Sequence, residues 1–347
     1  MEWDKSYSAT WRVYRVNRDT WADDSMLSDV DNVSITKTAD GKLLESGNIE
    51  TSGDFTSDYY RIVMIAEQGG TAERVDVATL LFDVAQSELD YGRTVSSASG
   101  YSVLYPASTT VITTGEYAPK GVDGVQYVKE LLEDSINAPV ETEGSFTLND
   151  HLVHELGSSV LDAVWDVLDA ATDPKFIMQI DGRGVVHIRP MPSEPDLIID
   201  NSKKRLLLNG IESQTDVSNI PNRYIVMSDN IITIASNNNS RSPVSIASRG
   251  YKVDLVDTSP TPVNGQTRAE YANAKLEELS VMKETMSYER EYSDGESDGV
   301  YPYSLIRASI NGLEGDLRVE SQSINCGNGI TISESASKET KLWERTL

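Results

Sequence analysis

The chain opens with four short apolar runs set between polar turns. They read TWRVYRVNRDTW, VSITKTADGKLLESGNIE, YYRIVMIAEQGG and ERVDVATLLF, and they span Thr10 to Phe82. Val, Ile, Tyr and Trp fill the runs, and Gly, Asp and Asn separate them. This is the pattern of a strongly curved antiparallel sheet or small barrel. Asp40-Gly41, between Val33-Ser34-Ile35 and Leu43-Leu44, predicts a tight hairpin turn. Val75, Val77, Thr79 and Leu81 recur with period two and predict one face of a strand. Ser96 to Gly100 (SSASG) reads as a linker or loop.

Beyond residue 100 the period changes. Val125, Val128 and Leu132 recur at helical spacing and predict an amphipathic helix from Val122 to Ser135. Asn149 to Leu156 reads as a short helix broken at Gly157. Ser159 and Asp162 match a capping box ahead of Leu161, Val164, Trp165 and Leu168, and Asp173-Pro174 ends that helix. FIMQI-DGRG-VVHIRP predicts two strands about a Gly-rich turn, and Pro190, Pro192 and Pro195 mark a boundary.

After residue 200 strands return. Tyr224 to Met227 and Ile231 to Ile234 flank Ser228-Asp229-Asn230 as a hairpin, and Tyr251 to Val256 predicts a further strand. Thr267 and Glu270 cap a helix to about Ser287, with Ala272, Leu276, Leu279 and Met286 as its apolar stripe. Leu317, Val319 and Ser321 alternate with Asp316, Arg318 and Glu320 in a two-faced strand. The fold class that follows is α+β, mainly β. It comprises a β-barrel-like domain over 1–95, an α+β domain over 96–200, and a second β-barrel-like domain over 201–347 with a helical insertion at about 265–287.

Charge narrows the partners. The 347 residues include 55 Asp plus Glu against 30 Lys plus Arg, a net charge of −25. Such a surface repels phosphate backbones and anionic lipid, which argues against specific nucleic-acid binding. A hydrophobic share of 39% supports real cores. Cys326 is the only cysteine, so no intramolecular disulfide and no Cys-based zinc site can form. No apolar run reaches the roughly 18 residues of a membrane span. MEWDKSYSATW lacks the basic start and apolar core of a signal peptide, so synthesis in the cytoplasm is the expectation.

Chemistry is sparse. His151 and His154 in HLVHE stand three apart, a spacing that metal sites use, but the order is not HExxH. Two histidines at such a position more often cap or face solvent. His187 is the third and last histidine. Asp294, Glu296, Asp298 and Gly299 imitate the start of a calcium loop, but its twelfth position, where a bidentate Glu belongs, is Leu305. An acidic surface turn explains the segment equally well. There is no GxSxG elbow, no GxGxxG after a strand and no phosphate-binding P-loop. Carboxylate pairs are uninformative in so acidic a chain. Trp3, Trp11, Trp21, Tyr59 and Tyr60 offer ring faces for a sugar, although strand cores and protein interfaces use the same residues. No catalytic, cofactor-binding or metal residue is assigned, and the expectation is a non-enzyme without a cofactor.

The β, α+β, β order, with TWRVYRVNRDTW, DGKLLESGNIE, YYRIVMIAEQGG, VDVATLLF, SVLYPAS, GEYAPKGVDG, LDAVWDVLDAA and FIMQIDGRGVVHIRPMP in sequence, resembles the tail hub (baseplate hub) proteins of tailed, long-tailed bacteriophages. The likeness covers most of the chain. It implies a homotrimer whose two barrels per chain present six similar modules to a hexameric tail tube or distal tail protein, joining it to a threefold tail tip. Implied partners are the tape measure protein and a tail fibre, spike or receptor-binding protein. The implied location is the virion tail tip, around the channel for DNA. The alternatives are a tail-tip enzyme degrading cell wall or polysaccharide, for which only HLVHE offers a constellation, and a receptor-binding adhesin.

Overall fold

The computed structural model describes residues 6–28, 30–52, 56–90, 93–115, 117–171, 173–200, 212–228, 231–258, 260, 266–291, 300–310, 313–326 and 330–343. In chain order it opens with β1 (Ser8–Val16), β2 (Asp23–Leu27), β3 (Val30–Thr38), β4 (Glu45–Thr51), β5 (Asp58–Gln68), β6 (Thr71–Asp90) and β7 (Arg93–Tyr101). Next come α1 (Tyr105–Thr109), β8 (Tyr117–Ala118), α2 (Gly124–Glu133), β9 (Val140–Thr142), β10 (Leu152–Val153), α3 (Val160–Asp169), β11 (Phe176–Ile180), β12 (Val186–Pro190) and β13 (Leu197–Asp200). Then follow β14 (Glu212–Asp216), β15 (Arg223–Ser228), β16 (Ile231–Ser236), α4 (Ile246–Arg249), β17 (Asp254–Asp257) and α5 (Arg268–Leu279). The chain closes with β18 (Val281–Glu291), β19 (Leu305–Ile310), β20 (Leu313–Cys326) and β21 (Ile330–Lys341). The protein is mainly β.

Two compact units form. Unit 1 holds residues 1–210 and 287–336, and unit 2 holds 211–286 and 337–347.

In unit 1 the main sheet runs β18-β21-β20-β3-β4-β7-β6-β5-β1-β2, with β19 paired on β20 and β13 on β19. That path is open among the described residues. Its interior core gathers Val13, Ile35, Ile49, Ile62, Met64 and Leu80, none more than 1% exposed. A second core joins Val16 and Tyr59 of the sheet, and Leu44 of the β3–β4 turn, to α2, α3 and the β11–β12 hairpin. The sheet is therefore covered on both faces near β5, whose residues from Asp58 to Met64 are all buried. The predicted two-strand hairpin is β11–β12, antiparallel, and β9 adds to β12 in parallel. Asp123 caps α2, and Ser159 with Asp162 forms the predicted capping box on α3.

Several expectations are corrected. Ser96 to Gly100 is no linker but part of β7, paired with both β4 and β6. Its glycine has a steric reason: Gly47 and Gly100 face each other, and a Cβ on Gly47 would stand 2.6 Å from Leu80, one on Gly100 2.7 Å from Phe82. The stripe Val75, Val77, Thr79, Leu81 does not stay on one face. Val63 pairs Asp76 and Ile62 pairs Ala78, so Val77 is an extra residue at a bulge. Beyond it Ala78, Leu80 and Phe82 take the interior, while Leu81 turns to the second core. Asn149 to Leu156 is not helical. Leu148 exchanges backbone bonds with Gly121 and Val122, and β10 pairs β8. The turn after β3 is longer than a tight hairpin, since β4 starts only at Glu45.

Unit 2 is smaller. β15 pairs β16 antiparallel and β17 in parallel, giving the order β16-β15-β17. α5 packs on one face, burying Tyr224, Val226 and Ala235 against Tyr271, Ala272 and Leu276. Thr267 and Glu270 form the predicted capping box. The helix stops at Leu279 instead of running to Ser287. Ser280 is fully buried, and its hydroxyl donates to the Leu276 carbonyl at 2.7 Å. Val281 then starts a strand in which Met286, Tyr288 and Arg290 are buried with period two, so Met286 belongs to that stripe and not to the helix.

Candidate assembly surfaces

The residues singled out for chemistry do not converge. His154 is 3% exposed, with Nε2 3.2 Å from the Tyr127 hydroxyl and its ring stacked on Tyr127. His151 is exposed, and its Nδ1 accepts from the Lys120 amide at 3.2 Å. The first histidine thus supports a loop, and the second lies against a helix. His187 stands between Asp181 (3.4 Å) and Glu141 (3.6 Å), beside an open cavity of about 280 Å³ that Glu143, Gln179 and Arg189 also line. Burial acts to raise the Asp181 carboxyl, but bonds from His187 and the Val185 amide hold it below the usual carboxylate range. Among the described residues no three His, Cys, Asp or Glu side chains group as a metal site. The Asp294–Asp298 loop lies outside the described residues. Burial pushes the Cys326 thiol well up, which makes it a poor nucleophile. Tyr59 and Tyr60 are core residues, and Trp3 lies outside the described residues.

Trp21 has a different use. It packs edge-on against Tyr59, and its Nε1 donates to the Arg183 carbonyl at 2.8 Å. Arg183 belongs to the DGRG turn, which is docked on the sheet. Arg61, 4% exposed, donates to Thr79, Asp23, and the carbonyls of Trp21 and Arg183 at 2.8–3.2 Å. Thr79 in turn donates to the Gly182 carbonyl at 3.1 Å. A Cβ on Gly182 would sit 1.8 Å from the Asp76 carbonyl oxygen, so backbone meets backbone here. Asp181 anchors the turn through the Arg183 and Val185 amides. The GRG run therefore reads as a joint between sheet and hairpin, a meaning its spacing alone did not carry.

Two buried ion pairs add to unit 1. Arg290 holds Glu334 through two bonds of 2.8 Å, both side chains fully buried, and Gln322 adds a third bond to Glu334 at 2.6 Å. Burial acts to raise the Glu334 carboxyl, and Arg290 brings it below its ordinary value. Lys37 stands 3.3 Å from Glu45, with both side chains at most 2% exposed. Burial pushes the Glu45 carboxyl up to about 7 against the opposing pull of Lys37.

The surface is divided in charge. Unit 2 holds 11 acidic and 10 basic residues, a net charge of −1, while unit 1 holds 44 and 20, a net charge of −24. Unit 2 also has a sheet face on which apolar side chains stand exposed around a buried Ile225. Ile225 pairs Ile234 and Val256, and Met227 pairs Ile232, all on the face opposite α5. Ile232 is 61% exposed, Ile234 51%, Val256 48% and Met227 38%. Unit 1 has a second apolar patch where Val111 bridges Ser159 and Tyr117-Ala118 pair antiparallel with Leu152-Val153. There Val111, Tyr117, Val153 and Leu156 are 50–77% exposed. HLVHE lies along this ribbon, and its exposed residues are His151, Val153 and Glu155.

No family model matches the sequence, and no curated protein matches it. Solved structures do share its fold. The tail protein from Neisseria meningitidis MC58 superposes with a TM-score of 0.64 over 98% of this chain and 99% of its own, at 11% identity. The 43 kDa tail protein of prophage MuSo2 from Shewanella oneidensis gives 0.61 over 97% and 99%, at 10% identity. A chain of the Francisella PdpA-VgrG complex gives 0.56 over 97% of this chain and 53% of its own, at 8% identity.

Proposed function

We propose that this chain is a structural component of a bacteriophage tail tip, a hub around which other tail proteins assemble. The single observation that supports it best is the shared fold with two tail proteins, one of them from a prophage, over nearly the full length of each chain. In this reading three copies form a closed ring about the tail axis. The strands of 1–95 and those of 201–347 act as paired barrel-like modules toward a sixfold tube or distal tail ring, with 96–200 between them. Tape measure, fibre, spike or receptor-binding proteins attach to the same ring. The chain performs no catalysis and is a virion component made in the host cytoplasm.

Charge gives the ring a second property. The acidic surface belongs to unit 1, and a channel lined by it repels the DNA backbone and keeps it from sticking. Light scattering and class averages of the purified full chain test the reading. Three chain masses with threefold averages support it. A stable monomer that digests cell walls would replace it with a tail-tip enzyme.

A further inference from the structure

We infer that the bare sheet face of unit 2 docks on the Val111–Leu156 ribbon of a second copy of this chain. The inference rests on the ring reading above and gives that ring its contact.

The first argument is area. Met227, Ile232, Ile234 and Val256 expose on the order of 400 Å² of mostly apolar surface, the size of the largest patch on a typical monomer, which is often a functional one. α5 covers the opposite face, and β16 and β17 end the sheet on both sides, so the chain offers one continuous apolar surface bounded by two strand edges.

The second argument is charge. Two copies that met through unit 1 alone would bring together two bodies of −24 each. Unit 2, at −1, is the part that can approach a neighbour's unit 1 with the least repulsion. On the ribbon itself, the stretches 111–118 and 152–159 of the sequence contain only Glu116 and Glu155 as charged residues.

The third argument is symmetry. A patch that pairs with itself stops at a twofold dimer, whereas two different complementary patches on one chain can link head to tail and close into a ring. The face and the ribbon are two such patches. The contact is apolar, so added salt screens the repulsion between units without weakening it.

Two double variants test this. Ile232→Asp with Ile234→Asp spoils the face, and Val153→Asp with Leu156→Asp spoils the ribbon. All four side chains are more than half exposed, so each fold should survive, which circular dichroism checks. Ile234→Ser serves as a milder face variant. By light scattering, each double variant alone should fall from three chain masses to one. Mixed in equal amounts they should form a two-chain complex and nothing larger, because one intact face meets one intact ribbon. If the natural chain forms a trimer and either double variant keeps it, the inference is wrong while the ring reading stands, and the face then belongs to another partner. A mixture that stays monomeric also overturns it. A natural chain that is monomeric at every concentration and salt level removes both.

Discussion

Unit 1 and unit 2 treat a β-sheet in opposite ways. In unit 1 the sheet is clothed on both faces near β5, ion pairs lie inside it, and a hairpin turn is bonded to its outer side through Arg61, Thr79 and Trp21. In unit 2 the sheet packs one face on α5, and on the other Met227, Ile232, Ile234 and Val256 stand exposed around a buried Ile225. Nearly all net charge sits in the first, and almost none in the second. The difference separates two requirements of an assembling protein. A rigid body needs satisfied interiors, whereas a docking surface needs apolar area left over and little charge to desolvate.

The contrast can be broken most forcefully at Arg290. Replacing it with Met leaves Glu334 buried without its partner and should cost about 4 kcal/mol in urea unfolding. Adding Glu334→Leu should recover most of that loss. Gly182→Ala should cost more than about 3 kcal/mol, because the new methyl meets the Asp76 carbonyl and both sides of the clash are backbone. A Gly182→Ala protein as stable as the parent would show that the turn is not clamped on the sheet.

Glu45 gives a pH signature. Its carboxyl is raised in the fold from 4.5 to about 7, so stability present below pH 4.5 is lost as pH climbs through 7. The groups facing it are Lys37 at 3.3 Å, itself bonded to the Ile180 carbonyl and lying over the Tyr301 ring, and more distantly Asp181, which pushes the carboxyl further up. The loss should be at most about 3 kcal/mol. Glu45→Gln should flatten the melting temperature against pH across that window. An unchanged slope assigns the pH dependence elsewhere. At the small end, Ile232→Ser on the bare face should change stability by less than about 0.5 kcal/mol, measured by thermal melting. A large loss would mean that the face is packed.

Local features were legible in the sequence. The capping boxes at Ser159–Asp162 and Thr267–Glu270, the β11–β12 hairpin and the β15–β16 hairpin all stand where their residues predict them. These depend on neighbours in the chain. Features set by distant contacts were not. SSASG looks like a linker, but its Gly100 is small because Leu80 and Phe82, which lie elsewhere in sequence, leave no room for a Cβ. The bulge at Val77 depends on how β5 meets β6, and the pairing of β20 with β3 spans most of the chain. Ile231 to Ile234 reads as an apolar run but does not say which of its faces is covered. The exposed apolar ribbon was hidden for the same reason: HLVHE drew notice for its histidines, and the fold buries the second of them and exposes the valine between them.

The central claim is that this chain builds a ring at the end of a phage tail. An image reconstruction of the tail tip from particles that carry it tests this most directly. The account predicts three copies about the tail axis, with unit 1 facing the channel and the bare face of each unit 2 covered by a neighbouring copy. A particle that lacks the chain, or holds it as a single copy off the axis, would contradict it.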